Sequence, residues 1–383
     1  MYVPSAGDPI VRTLPDCHVF ASSLLLQTNY AQPFVSGVVV DASNATTLAS
    51  CTTETACWPT RRALVWSSKG DFYDKPFMAV DPNPFNAGVW IGYTHYSFDP
   101  ITFQQLIRVE VMRCEITLRH CTAPHALATG SSSGFGPFTV PTWVTIAIGS
   151  DSSAYASWAT IQYGSSFQQT MQISMAKAPP STTNFGPPVT VNQLGLPVFN
   201  PFASENFRIN GMPEIAVSHV GGVDRVHVVY GQCRDVVLGI CEHSEVVLAS
   251  SRTAGQGTWS YSAIAPASAS DFFPTLTVDQ GTGSLLVGYW TTRFDAGQHS
   301  FDVVAVPVNA ATGAQSPAIR VTTSSIEPDS DSTILLFIGD YSELAAFNGT
   351  AWAHYTSTQR LQQLFGQGVA IPQQDNVLSI FSF

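Results

Sequence analysis

Apolar and polar residues alternate along this 383-residue chain in short runs broken by Gly, Pro, Ser and Asn, and the runs recur at intervals of 61 to 72 residues. Five runs begin at a proline: Pro9-Ile-Val, Pro76-Phe-Met-Ala-Val-Asp81, Pro141-Thr-Trp-Val-Thr-Ile146, Pro213-Glu-Ile-Ala-Val217 and Pro274-Thr-Leu-Thr-Val-Asp279. A sixth starts near Asp340-Tyr-Ser-Glu-Leu-Ala345. Period-two alternation sends successive side chains to opposite faces and predicts half-buried strands. A second strand is predicted to end on an aromatic residue at a nearly fixed offset. Tyr93, Trp158 and Tyr230 lie 17 residues after their prolines, Tyr289 lies 15 after Pro274, and Tyr355 lies 15 after Asp340. Third strands are predicted at Leu106–Met112, Met171–Met175, Glu245–Ala249 and Phe301–Val306. The last run, Asn376–Phe383, is expected to complete the final repeat and close a ring together with the N-terminal segment.

Four short strands per repeat, six times over, predict an all-β fold, a six-bladed β-propeller of four-stranded antiparallel blades. Two stacked β-sandwiches would look similar strand by strand, but the constant aromatic offset favours the propeller. No linker or composition shift divides the chain, so residues 1–383 are read as a single domain with blade starts near 9, 76, 141, 213, 274 and 340.

Composition agrees with strands and turns. Charged residues make up 11% of the chain, against about 25% in ordinary soluble proteins. Lys69, Lys75 and Lys177 are its three lysines, which leaves too little charge for long surface helices. The net charge of −11 excludes a nucleic-acid partner bound without regard to sequence and an anionic lipid surface, because both need a basic face. No run of 18 apolar residues occurs, so no membrane span is expected. The N-terminus has neither the basic start nor the apolar core of a secretory signal, so an export signal has been removed or the protein was never exported.

Cysteines bear on that choice. Six of the seven form couples, Cys51 with Cys57, Cys114 with Cys121 and Cys233 with Cys241, leaving Cys17 over. Separations of six, seven and eight residues do not match the CxxC spacing of zinc or redox sites and do let two cysteines face each other across a tight loop. Local disulfides are favoured over reduced thiols or a metal site. They imply an oxidising setting, secreted or extracellular/periplasmic.

In a propeller, the loops entering the innermost strands and leaving the second strands open on one face around the channel. The entering loops carry Asp8, Asp74 with Lys75, Asp271 and Asp340. The leaving loops carry His95 with Tyr96, Tyr163, Arg234 with Asp235, Arg293 with Asp295, and Arg360. Asp8, Asp74 and Asp340 are expected near one another at the channel mouth. Clustered carboxylates raise one another's pKa, which suits acid/base work, and they can hold calcium; alternatively each simply caps a turn. Arg234, Arg293 and Arg360 would grip a carboxylate or sulfate, or form salt bridges with Asp235 and Asp295. Lys75, His95 and Tyr96 complete the expected binding set. Tyr96, Tyr163 and Trp290 would stack on sugar faces or pack between blades. The histidines lack metal-ligand spacing, and no phosphate loop, dinucleotide fingerprint or nucleophile elbow occurs. No cofactor is therefore implied, and a structural calcium on the aspartates is the one ion considered.

The Pro-x-apolar-x-Val-Asp starts, the turn Ser251-Arg-Thr-Ala-Gly-Gln-Gly-Thr-Trp259 and the segment Tyr341-Ser342-Glu343-Leu344 resemble the sialidase superfamily and its BNR/Asp-box relatives. The resemblance implies a divergent, sialidase-like glycoside hydrolase acting on a glycan or glycoconjugate. Tyr341 would be the nucleophile, assisted by a glutamate the sequence does not locate, with Asp340 beside it and Asp8 or Asp74 protonating the leaving oxygen. Departures from the family pattern are clear. The turn has Thr253 where an Asp-box has its aspartate, and one extra residue. Where the family has Phe/Tyr-Arg-Ile-Pro, this chain reads Gly7-Asp8-Pro9, and Phe207-Arg208-Ile209-Asn210 precedes the fourth blade without the proline. A non-catalytic propeller that binds a glycan or a protein is the competing expectation, and the resemblance carries the fold more firmly than the activity.

Overall fold

A computed structural model describes residues 7–27, 35–133, 136–164, 169–198, 209–237, 240–265, 269–328, 338–339, 341–363 and 370–383. The chain comprises two compact units, Met1–Gln193 and Leu194–Phe383. Each is built from three antiparallel sheets whose strands neighbour one another in chain order.

In the first unit, sheet one holds β1 (Ile10–Thr13), β2 (His18–Gln27), β3 (Val35–Asn44) and β4 (Thr60–Ser67). Two short helices, α1 (Ala45–Ser50) and α2 (Glu54–Cys57), join β3 to β4, capped by the side chains of Asn44 and Thr53. Sheet two holds β5 (Phe72–Asp81), β6 (Gly88–Asp99), β7 (Gln104–Glu115) and β8 (His125–Ser133), and sheet three β9 (Phe138–Ile148), β10 (Ala154–Tyr163), β11 (Gln169–Ala178) and β12 (Val189–Leu194). In the second unit, sheet four holds β13 (Glu214–Val220), β14 (Val223–Val237), β15 (Ile240–Ser251) and β16 (Trp259–Ala263). Sheet five holds β17 (Asp271–Val278), β18 (Leu285–Thr291), β19 (Asp302–Val308) and β20 (Ile319–Arg320), and sheet six β21 (Glu343–Phe347), β22 (Thr350–Gln363) and β23 (Ala370–Ser382). Six such up-and-down sheets define a six-bladed β-propeller fold. Among the described residues the sixth blade has three strands, with β23 paired to β22. The N-terminal segment expected to help close the ring, residues 1–6, lies outside the described residues.

The repeating aromatics are the blade cores. Tyr93, Trp158, Tyr230, Tyr289 and Tyr355 are all buried. They stand inside their strands rather than at the ends, because main-chain pairing continues past them; the β6–β7 ladder runs out to Asp99 opposite Gln104. His95, Tyr96, Arg234 and Asp235 are consequently strand residues, not loop residues. Strands β5, β9 and β17 likewise begin before Pro76, Pro141 and Pro274. Proline has no N–H to give a ladder, and pairing breaks register beside it, between Asp74 and Phe77 and between Phe272 and Thr275. Sheet three has the corresponding shift opposite Thr142 to Thr145. These bulges hold Lys75 at φ 53, Trp143 at φ 59 and Phe273 at φ 48, and Asp8 before Pro9 sits at φ 50.

At the other end of the innermost strand, an aspartate ties neighbouring blades. Asp81 Oδ1 accepts from Asn83 N at 3.0 Å and from Ser152 Oγ of the next blade at 3.2 Å. The equivalent Asp279 accepts from Gly281 N and Thr282 Oγ1, and from Asn348 N and Gly349 N of the next blade, all at 2.8 Å. Disulfides join Cys51–Cys57, Cys114–Cys121 and Cys233–Cys241, and Cys17 is free and exposed. No described helix is long and apolar enough to cross a membrane.

Candidate functional site

In the first unit the starts of three consecutive blades, two of them bulged, meet through their side chains. Lys75 Nζ lies 3.9 Å from Asp8 Oδ2 and 5.0 Å from the centre of the Trp143 ring. One ammonium thus joins an ion pair to a cation–π contact. All three residues occupy the left-handed region that L side chains rarely adopt. Backbone strain of this kind persists where surrounding structure over-determines it, and it gathers at ligand sites.

Next to this trio, strand register assembles a second polar group. Tyr73 pairs with His95, and His95 with Arg108; one row inward, Tyr93 pairs with Glu110. Alternation puts these rows on one face of β5, β6 and β7. Tyr73 stacks on the His95 ring at 4.5 Å. His95 Nδ1 is 3.3 Å from Glu110 Oε2, its Nε2 is 4.0 Å from Asp71 Oδ1, and Arg108 Nε is 3.7 Å from Glu110 Oε1. Burial, aided by the charges of Asp71 and Glu110, pushes the Tyr73 hydroxyl up to about 12. Burial, then Glu110, drives Tyr93 further in the same direction. Tyr96 is pushed up to about 12 by burial and by the charge of Asp74. All three phenols are therefore neutral hydrogen-bonding groups at physiological pH. Tyr96 and Phe72 lie with ring centres 5.9 Å apart, and Tyr163 stacks on Phe138 at 4.3 Å; all four rings are half-buried.

The second unit carries the expected arginines, and their partners are internal. Arg293 donates to Tyr289 Oη at 2.5 Å, to Thr291 Oγ1 at 3.2 Å and to the Ala265 carbonyl at 3.2 Å. Its Nη2 stands 3.6 Å from Asp271 Oδ1. Asp295, the partner expected from sequence proximity, instead accepts backbone N–H groups of Gly297, His299 and Ser300, which hold its carboxyl below the ordinary range. Burial pushes Asp271 up to about 6, against the opposing influence of Thr291 and Arg293. Arg234 pairs with Asp235 at 3.0 Å, and His243 stands 3.2 Å from the same carboxylate. Tyr341 is half-buried just before β21, and Ser342 Oγ donates to the Phe273 carbonyl at 3.5 Å. Asp340, Phe207-Arg208 and the Arg360 side chain lie outside the described residues. Trp290, at 2% exposure, is packed by Phe272, Phe273 and Phe301 and offers no surface for stacking.

Of the residues expected at the mouth, Asp8 and Lys75 come together, Asp74 acts on Tyr96, and His95 joins a cluster that sequence reasoning missed. Its members Asp71, Tyr73, Tyr93, Arg108 and Glu110 were signalled by alternation, Arg108-Val109-Glu110 and Tyr93-Thr94-His95 each placing two polar groups on one face. Seeing them as a group required the pairing register. Among the described residues no set of three or more His, Cys, Asp or Glu could hold a metal ion.

No family model and no curated protein matches the chain. Solved structures do. An α-L-arabinofuranosidase from Fusarium graminearum is similar over 97% of this chain and 90% of its own, with 12% identity and a TM-score of 0.50. An α-L-arabinanase from Penicillium chrysogenum covers 78% of this chain and 80% of its own, with 12% identity and a TM-score of 0.42. The NanB sialidase from Streptococcus pneumoniae covers 94% of this chain and 59% of its own, with 9% identity and a TM-score of 0.38. The arabinofuranosidase likeness, at that identity, establishes the propeller fold alone.

Proposed function

We propose that the chain is a secreted, carbohydrate-active propeller that receives a glycan at the blade ends that carry Asp8, Lys75, Trp143, His95 and Tyr96. The observation that carries this reading is the contact of three strained blade starts, Asp8, Lys75 and Trp143. Half-buried aromatic rings beside it offer apolar faces for sugar C–H groups, while the Asp8 carboxylate and the neutral Tyr96 phenol offer hydrogen bonds to hydroxyls. Three disulfides support secretion. Proteins of this fold named as arabinofuranosidase, arabinanase and sialidase lend it support by analogy.

The hydrolytic form of the proposal is sialidase-like. Tyr341 is the nucleophile at the anomeric carbon while a carboxylic acid protonates the leaving oxygen, with Arg234 and Arg293 as sugar-binding groups. A purely binding form is favoured by Gly7-Asp8-Pro9 standing where the family has its first arginine, and by the internal pairing of Arg234 and Arg293.

The test is release of reducing sugar from sialylated, sulfated and neutral glycans by the wild type and Tyr341→Phe, with retention of each glycan measured alongside. Release that vanishes in the variant supports the hydrolase. Saturable retention without release, lost in Trp143→Ala, supports the binding protein. Neither release nor retention refutes both.

A further inference from the structure

The cations at this face are already held by the protein's own carboxylates, and from this we infer that the glycan it takes is uncharged. The inference rests on the carbohydrate-binding reading above. Lys75 lies within ion-pair distance of Asp8 at 3.9 Å and Arg108 of Glu110 at 3.7 Å, and His95 stands between Glu110 at 3.3 Å and Asp71 at 4.0 Å. Side chains of Lys75, Asp8 and Glu110 are 15%, 19% and 9% accessible, and those of Arg108 and Asp71 are each 30% accessible. Charges so enclosed are weakly screened by solvent.

Counted together, Asp8, Asp71, Asp74 and Glu110 outnumber the permanent cations Lys75 and Arg108 by two. A sugar carboxylate or sulfate would meet an excess of negative charge. To gain a cation it would have to displace a carboxylate that the same fold holds in place, leaving that carboxylate without its partner. The arginines of the second unit are committed in the same way, Arg234 to Asp235 and Arg293 to Asp271, Tyr289 and Thr291. An uncharged sugar asks for none of these exchanges. Its hydroxyls need no counter-ion, and its apolar face can lie on Trp143 or Tyr96.

The experiment compares matched pairs of glycans on the full chain by calorimetry or a glycan array. Lactose is set against sialyllactose, galacto-oligosaccharides against galacturonate oligosaccharides, and neutral pentose oligosaccharides are included. Saturable binding of a neutral member, with its acidic counterpart weaker by about tenfold or more, is expected. The handicap should shrink at high salt, and Asp8→Asn, which removes the Lys75–Asp8 ion pair, should narrow the ratio. Acidic members binding as tightly as or more tightly than their neutral partners would overturn the inference while leaving the carbohydrate reading intact. Failure of every glycan to bind would overturn that reading and the inference with it. Because the ratio is measured on the wild type, the test stands even where a variant folds poorly.

Discussion

Asp81 and Asp279 end the innermost strands of blades two and five at the same point of the repeat, yet replacing each by asparagine should have different consequences. Asp279 uses both oxygens: Oδ1 accepts from Gly281 N and Asn348 N, Oδ2 from Thr282 Oγ1 and Gly349 N. Burial opposes its ionisation, but these four bonds outweigh it and hold the carboxyl below the ordinary Asp range. In Asp279→Asn the amide carbonyl keeps the Oδ1 pair, while the amide NH2 points at the Gly349 N–H and two donors collide. Losing one charge-assisted bond and leaving a donor unmet costs about 2–4 kcal/mol. Asp81 receives both its bonds on Oδ1, and burial raises its pKa. Asp81→Asn keeps both bonds and removes an unfavourable buried charge, so its effect lies between zero and a gain of about 1 kcal/mol. Urea midpoints of the two variants at pH 7 and at pH 4 or below test this. The signs follow from linkage: the stability contributed by Asp279 is present above the unfolded carboxyl pKa and lost as pH falls through the folded one, so the Asp279→Asn deficit shrinks in acid. For Asp81, whose folded pKa is raised, the cost of ionisation disappears in acid, and with it the variant's gain. Equal losses in the two variants, or a larger loss for Asp81→Asn, would refute the reasoning.

Two further pH predictions concern buried groups. His227 is enclosed with Ser218 at 2.9 Å and Ser250 at 2.8 Å, and burial, aided by the Arg225 charge, lowers its pKa to about 3. The unfolded chain takes up a proton first, so stability falls as pH drops from about 6.5 to about 3, and His227→Gln should flatten that limb of the urea midpoint. Asp271, raised to about 6 chiefly by burial, acts with the opposite slope. The unfolded chain loses its proton near pH 4 and the folded chain near 6, so stability attributable to this group falls by about 3 kcal/mol as pH rises across that window. Asp271→Asn should remove that slope; an unchanged pH profile would contradict the assignment.

Much of the fold was legible because its physical signals are local. A proline ahead of an alternating run marks five blades, and an aromatic residue 15 or 17 residues further on marks five cores, as Tyr93 and Tyr230 do with no accessible surface. The cysteine couples were legible for the same reason, their loops being short enough to close. Strand ends were not. His95 and Tyr96 read as loop residues, but the ladder they continue is made by main-chain groups and is indifferent to side-chain polarity. Arg293 shows the other limit: Asp295 is two residues away in sequence, yet its carboxylate is taken by backbone N–H groups. Asp271, opposite Thr291 in the sheet, becomes the arginine's ion-pair partner. Register decides such pairings, and register is set by long-range packing.

The proline that makes the repeat readable also has a structural consequence. It cannot donate to the ladder; in blades two and five the innermost strand bulges beside it, and the adjoining residue is turned into the left-handed region at a cost of roughly 1–2 kcal/mol. Asp8, Lys75 and Phe273 each directly precede a proline in this state, and Trp143 adopts it two residues after one. One backbone device therefore serves several blades, and the residue placed on it decides the outcome. In blade five the residue is Phe273, whose ring packs against Trp290 at 5.3 Å and extends the core. In blades one to three the residues are an acid, a base and a partly exposed indole, and the same turn joins them into a polar, aromatic surface. Replacing Trp143 or Lys75 alters chemistry without altering the device, whereas replacing Pro76 restores an N–H and removes the reason for the bulge. At these four positions the fold tolerates strain, and in the first three blades it is attached to side chains suited to a ligand.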